Sequence, residues 1–151
     1  MSTAKKLYQD PNALKLEGLL NELVLAFNLQ RQSILNGYHV TELEVDIISY
    51  LNDEEQKKMK EVGEYFNIKL STLTSTIDKL EKNKLVKRKN SKEDRRVIYI
   101  RPTAKGLNLL TELSQTMNEI SEVIARSLKQ NEFDSLVKGL DRILEFTKSQ
   151  K

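Results

Sequence analysis

Val86-Lys87-Arg88 and Val97-Ile98-Tyr99-Ile100-Arg101 are two runs rich in β-branched and aromatic residues, in a chain whose other patterned segments repeat with helical spacing. Joined by the polar, basic loop Lys89-Asn90-Ser91-Lys92-Glu93-Asp94, they read as two strands of a β-hairpin. A hairpin this small is marginal by itself in water and must pack on the helices beside it. The expectation is therefore a mainly α chain with a small β-hairpin wing. Its 151 residues allow one compact domain with a real core and are few for two ordinary ones.

The helical segments follow from apolar spacing. Residues 12–36 read as one long helix through Leu16, Leu19, Leu20, Leu23, Phe27 and Leu35, which Gly37 is expected to end. Val24, Leu25 and Leu29 widen its apolar stripe beyond what one partner surface requires. Thr41-Glu42-Leu43-Glu44 has the pattern of a capping box, opening a short helix through Leu43, Ile47, Ile48 and Leu51. After the polar break Asn52-Asp53-Glu54-Glu55, the residues Met59, Val62, Gly63 and Phe66 define a second short helix. Asn67-Ile68-Lys69 is a tight turn, and the next helix carries Leu70, Leu73, Ile77 and Leu80 on one face. Pro102 is expected to stop the second strand and Thr103 to cap a helix running to about Leu128. A last helix uses Phe133, Leu136, Leu140, Ile143 and Leu144.

Charge is distributed unevenly along this pattern. The net charge is only +3, yet Lys69 to Lys105 holds 12 basic and 4 acidic residues, while the remainder holds 13 basic and 18 acidic. A local excess of eight positive charges is the footprint of a nucleic-acid face; a solvated lysine-rich surface is the blander alternative. Enzyme chemistry has little to stand on. Cysteine is absent, His39 is the single histidine, and no glycine-rich phosphate loop or nucleophile elbow occurs. Neither a catalytic residue, a metal site nor a cofactor is expected. No apolar run approaches a bilayer's thickness and Met1 to Lys6 lacks a signal peptide's apolar core, which places the chain in the cytoplasm with no membrane partner.

Two short helices joined by a tight turn and followed by a basic hairpin describe a winged helix-turn-helix, whose second helix can enter a major groove. At 100° per residue, Ser71, Thr72, Ser75, Lys79 and Lys82 lie opposite the apolar stripe of that helix. With Lys69 at its start and Thr76 beside them, they are the candidate contacts to double-stranded DNA. Ordinary solvation of a surface helix explains the hydroxyls equally well. Lys92-Glu93-Asp94-Arg95-Arg96 tips the balance: in an extended strand Asp94 and Arg96 share a side, so the carboxylate orients the guanidinium. An oriented arginine suits a narrow, negative minor groove. The competing reading is an exposed ion pair of little energetic weight.

The same residues carry a family resemblance. Asp94-Arg95-Arg96, Val97-Ile98-Tyr99-Ile100 and Thr103-Ala104-Lys105-Gly106 resemble the wing and helix start of the MarR (multiple antibiotic resistance regulator) family. Ser71-Thr72-Leu73-Thr74 through Ile77-Asp78-Lys79-Leu80-Glu81-Lys82 is similar to that family's recognition helix. The chain departs from the pattern where Lys84 replaces a glycine, where Lys69-Leu70 replaces a proline or polar cap, and where Ser75 replaces an arginine.

The resemblance implies a winged helix-turn-helix lobe over residues 41–102 and a helical dimerisation region over 1–40 and 103–151. It further implies a homodimer on a pseudo-palindromic operator, and a regulator, expected to be a repressor, that answers to a small-molecule effector. His39 falls near the family's ligand pocket; a partly buried, hydrogen-bonded histidine is the plainer reading and an effector contact the second. A winged-helix protein-interaction module without operator binding is the alternative function.

Overall fold

The computed structural model describes residues 10–53, 57–91 and 97–149. Six helices and three strands appear among them, in the order α1 (Pro11–Tyr38), α2 (Glu42–Leu51), β1 (Lys57–Lys58), α3 (Met59–Tyr65), α4 (Leu70–Lys82), β2 (Val86–Asn90), β3 (Ile98–Pro102), α5 (Ala104–Ser127) and α6 (Gln130–Ser149). They fall into two compact units that divide inside α5, one ending at Ser114 and the other starting at Gln115. The mainly α architecture with a small antiparallel wing is as the sequence patterns predict.

The first unit holds the core. Leu35 from α1, Ile47, Ile48 and Leu51 from α2, Val62 from α3, and Leu73, Ile77 and Leu80 from α4 are buried together with Leu85, Val86, Ile100 and Leu109. In α2 and α4 these are the helix faces expected from i, i+3, i+4 spacing, with two exceptions. Leu43 and Leu70, assigned by their spacing to the inner faces of α2 and α4, are exposed. Each lies in the first turn of its helix, where the next apolar residue already turns toward the core. In α2, Glu44 takes the buried place beside Leu43.

Turns account for the other differences. Gly37 does not end α1; the helix runs on to Tyr38, and His39 adopts the left-handed conformation at φ 56° while its N–H bonds to the Asn36 and Leu35 carbonyls. His39 is thus a backbone cap with an exposed side chain, not a partly buried histidine. Asn67 and Lys84 are the other two non-glycine residues at positive φ among those described. Lys84, at φ 61°, tolerates the left-handed turn after α4 that a glycine would adopt without strain.

The sheet has the order β1-β3-β2, antiparallel throughout. In the hairpin, Val86 pairs with Pro102 and Asn90 with Ile98. Lys89 and Asn90 therefore belong to the strand rather than the loop, and Pro102 is the last paired residue of β3 rather than a stop before it. β1 was not legible: Lys57 and Lys58 pair with Ile100 and Tyr99, but two lysines carry no strand pattern.

In the second unit α6 buries none of its residues. Leu136, Leu140, Ile143, Leu144 and Phe146 are exposed along it. In the first unit Leu16, Leu19, Leu20, Leu23, Leu25 and Leu29 of α1 are likewise exposed.

Candidate nucleic-acid interface

The helix that could enter a groove is α4, and its ends are set by its neighbours. Leu73, Ile77 and Leu80 anchor it in the core, while Asn83 and Lys84 turn the chain into β2. Its N-terminus is unusual. Asp10 caps α1, Thr41 and Glu44 form the predicted capping box on α2, and Thr103 caps α5. Glu61 and Glu132 stand in the first turns of α3 and α6. Among the described helices, α4 alone has neither a capping side chain nor an acidic residue in its first turn. Its leading N–H groups are left for a partner, and the positive end of the helix dipole favours an anion there.

Lys69, Ser71, Thr72, Ser75, Lys79 and Lys82 are all exposed, with Thr76 half-buried at the edge of the face. The hydroxyls of Ser75 and Thr76 donate back to the carbonyls of Ser71 and Thr72 at 3.1 and 2.9 Å, so toward an outside partner they act as acceptors. Ser71 and Thr72 make no side-chain hydrogen bond among the described residues and keep donor and acceptor capacity. Lys79 differs from the other lysines. Its Nζ lies 2.8 Å from Oε2 of the buried Glu44. Of the wing-tip candidates, Lys92, Asp94, Arg95 and Arg96 lie outside the described residues. The strands that flank them are paired up to the Ser91 N–H, which donates to the Val97 carbonyl at 2.9 Å.

Arg88 ties wing to helix, a role that sequence spacing did not reveal. Its guanidinium reaches Asp78 at 2.6 Å and Glu81 at 2.8 Å, and donates to the Thr74 carbonyl at 3.3 Å. Asp78 and Glu81 are one helical turn apart on α4, so the strand residue spans both. The signal was present in part, since the two acids are spaced for one face, but their strand partner could not be named without the fold. Between α4 and the sheet lies a cavity of about 620 Å³, lined by Met59, Leu70, Thr74, Val97 and Ile98 with Lys58, Lys60, Asp78 and Arg88. His39 does not line it.

At the far end of α4 the wing is closed by a compact motif. The Thr103 hydroxyl donates to the Lys84 carbonyl at 2.6 Å and accepts from the Gly106 N–H at 3.2 Å, while the Thr103 N–H donates to the Leu85 carbonyl at 2.9 Å. Thr103 thus stitches the start of β2 to the start of α5.

Outside this face the clearest charge effect is between α1 and α2, where Arg31 grips Glu42 through both carboxylate oxygens at 2.6 to 2.9 Å. The hydrogen bond from Arg31 holds the Glu42 carboxyl below its usual range, and the same bond raises Arg31. Burial, aided by Glu112, pushes the Tyr38 phenol above its usual value. Among the described residues no group of three His, Asp or Glu side chains could hold a metal, and no helix is long and apolar enough to cross a membrane.

Comparison with known proteins agrees with this geometry. Residues 40–98 match the model of the MarR family. The chain is 29% identical over 110 residues to the HTH-type transcriptional regulator SarZ of Staphylococcus haemolyticus, covering 73% of this chain and 74% of that one. It is 26% identical over 132 residues to the HTH-type transcriptional regulator MhqR of Bacillus subtilis, covering 87% and 90%. Its fold superposes on the S. aureus MepR–DNA complex with a TM-score of 0.78 at 16% identity, over 87% of this chain and 98% of that one. Residues 40–98 thus resemble the MarR family, and the relatives to which the chain is similar are transcriptional regulators rather than enzymes.

Proposed function

We propose that the protein acts as a homodimer on pseudo-palindromic double-stranded DNA, each subunit laying α4 in a major groove and its wing in the adjacent minor groove. The observation that carries this is the open N-terminus of α4, where uncapped N–H groups stand beside Ser71, Thr72 and Lys69 with Lys82 at the other end of the helix. Small hydroxyls permit close approach to base edges, and the lysines supply phosphate contacts. Ser75 and Thr76 join them as acceptors, and Lys92, Asp94, Arg95 and Arg96 complete the set from the wing tip. MepR, which shares the fold, has been solved bound to DNA. Residues 41–102 form the DNA-binding lobe in this reading.

The exposed leucines of α1 and the apolar face of α6 support assigning residues 1–40 and 103–151 to dimerisation, because apolar faces this extensive mark an interface. The role is repression of nearby genes in the cytoplasm, relieved by a small effector. The cavity beside α4 lies within the size range of small-ligand sites, which supports the effector reading.

Binding to a duplex selected from a random pool, measured across salt, tests the proposal. Affinity is expected to fall steeply as salt rises, and Lys82→Ala to lower the slope of log affinity against log salt by about one. Salt-insensitive binding would exclude α4 and the wing as the DNA face. A monomer by sedimentation at micromolar concentration would exclude the dimer.

A further inference from the structure

Glu44 is 5% exposed, the buried charged side chain of the described core. Its Oε2 accepts from the Thr41 N–H at 2.8 Å and from Lys79 Nζ at 2.8 Å. The first contact belongs to the capping box of α2; the second crosses 35 positions of sequence to α4. One turn beyond Lys79, at the C-cap of α4, Asn83 Nδ2 reaches the His39 carbonyl in a long 3.5 Å contact. Lys79 and, four positions on, the C-cap residue Asn83 are thus directed at the same segment, the entry into α2 from α1.

We propose that Lys79 is a positioning residue, which fixes the rotation of α4 through buried Glu44 and does not neutralise a DNA phosphate. Its side chain is 46% exposed, so helical geometry places it on the outer face, but its ammonium is turned inward. A phosphate contact would draw that ammonium away and strand a carboxylate in the core. Stranding a buried charge is costly, whereas Lys69 and Lys82 have no such partner among the described residues and can meet a phosphate freely. Glu44 serves two elements at once: it closes the first turn of α2 and sets the angle at which α4 is presented. The inference rests on the DNA-binding reading of α4 and assigns one of its lysines a different task.

Lys79→Met, Glu44→Gln and the double variant distinguish these roles on a duplex that the unmodified protein selects from a random pool. Glutamine keeps an oxygen for the Thr41 N–H, so the cap on α2 survives in Glu44→Gln. A positioning role predicts that both single variants weaken binding by a similar factor, roughly 3- to 30-fold, and that the double variant is no weaker. The salt slope should stay that of the unmodified protein in all three. A phosphate role predicts the reverse: Lys79→Met lowers the slope by about one, and Glu44→Gln, by freeing the lysine, binds as tightly or more tightly. That result overturns the proposal, as do unchanged affinities in both single variants. If Lys79→Met does not fold by circular dichroism, Glu44→Gln decides alone, since looser binding at unchanged slope supports the latch and tighter binding overturns it. Failure of the unmodified protein to select any duplex, or salt-insensitive binding by it, removes the DNA reading itself and the latch with it.

Discussion

Gly106 sits so close to the carbonyl of Leu85 that a Cβ built on it would collide with that backbone oxygen. The same carbonyl accepts from the Thr103 N–H, and the Gly106 N–H is capped by the Thr103 hydroxyl, so neither chain segment can retreat. The first turn of α5 and the start of β2 are pressed together by a hydrogen-bond pattern that leaves no room for a side chain. Gly106→Ala is therefore expected to destabilise the fold by roughly 1–3 kcal/mol, in the range of overpacking substitutions. Urea denaturation reads this directly. An unchanged midpoint would show that α5 can shift away from Leu85.

Arg88 holds the wing to α4 through Asp78, Glu81 and the Thr74 carbonyl. Both acids are substantially exposed, so water compensates much of the loss, and Arg88→Ala is expected to cost about 1 kcal/mol. Local loosening should exceed the global effect. Amide exchange across Val86–Asn90 should quicken more than that of the buried helix α2, and uniform quickening would mean that Arg88 contributes to the whole lobe rather than to the wing.

The Arg31–Glu42 pair gives a stability term with a definite pH sign. Glu42 has its carboxyl held below the ordinary value of 4.5, first by the hydrogen bond from Arg31. A depressed carboxyl stabilises the fold fully above its unfolded value and loses that contribution as pH falls through the lower, folded value. Because the pair is partly exposed, Glu42→Gln should cost less than about 1 kcal/mol at neutral pH. The gap between the two proteins should stay constant down to about pH 4.5 and close below it. Urea melts at several pH values test this, and a gap that widens in acid would contradict the assignment.

Arg96→Ala should abolish tight DNA binding with the fold intact, and Asp94→Ala should weaken it less, because the loss of the orienting carboxylate leaves a mobile but charged arginine. Arg95→Ala should behave as the loss of one phosphate contact and lower the salt slope by about one. Titration of the three variants with circular dichroism checks this order. Binding by Arg96→Ala equal to that of the unmodified protein would move recognition onto α4.

Local patterns determined much of this protein. The capping box at Thr41 and Glu44, the inward stripe Leu73, Ile77 and Leu80, and the cap at Thr103 were legible because each depends on residues within one or two turns of each other. The two strands of the wing were legible for the same reason, through β-branched residues beside a polar loop. The charge excess of Lys69 to Lys105 marked the face that the proposal assigns to DNA. What the tertiary structure decided are matters of partnership across the chain. β1 is a strand only because β3 offers it a free edge, and Gly37 stays helical because His39, one position past Tyr38, takes the left-handed cap. Lys79 and Arg88 look alike as exposed cations in sequence, yet both are held by carboxylates on other elements. Helical spacing gives the direction in which a side chain leaves its helix. Only the packing of α2, α4 and β2 against one another determines what that side chain meets, because a long, flexible cation settles where a buried or clustered negative charge most needs it.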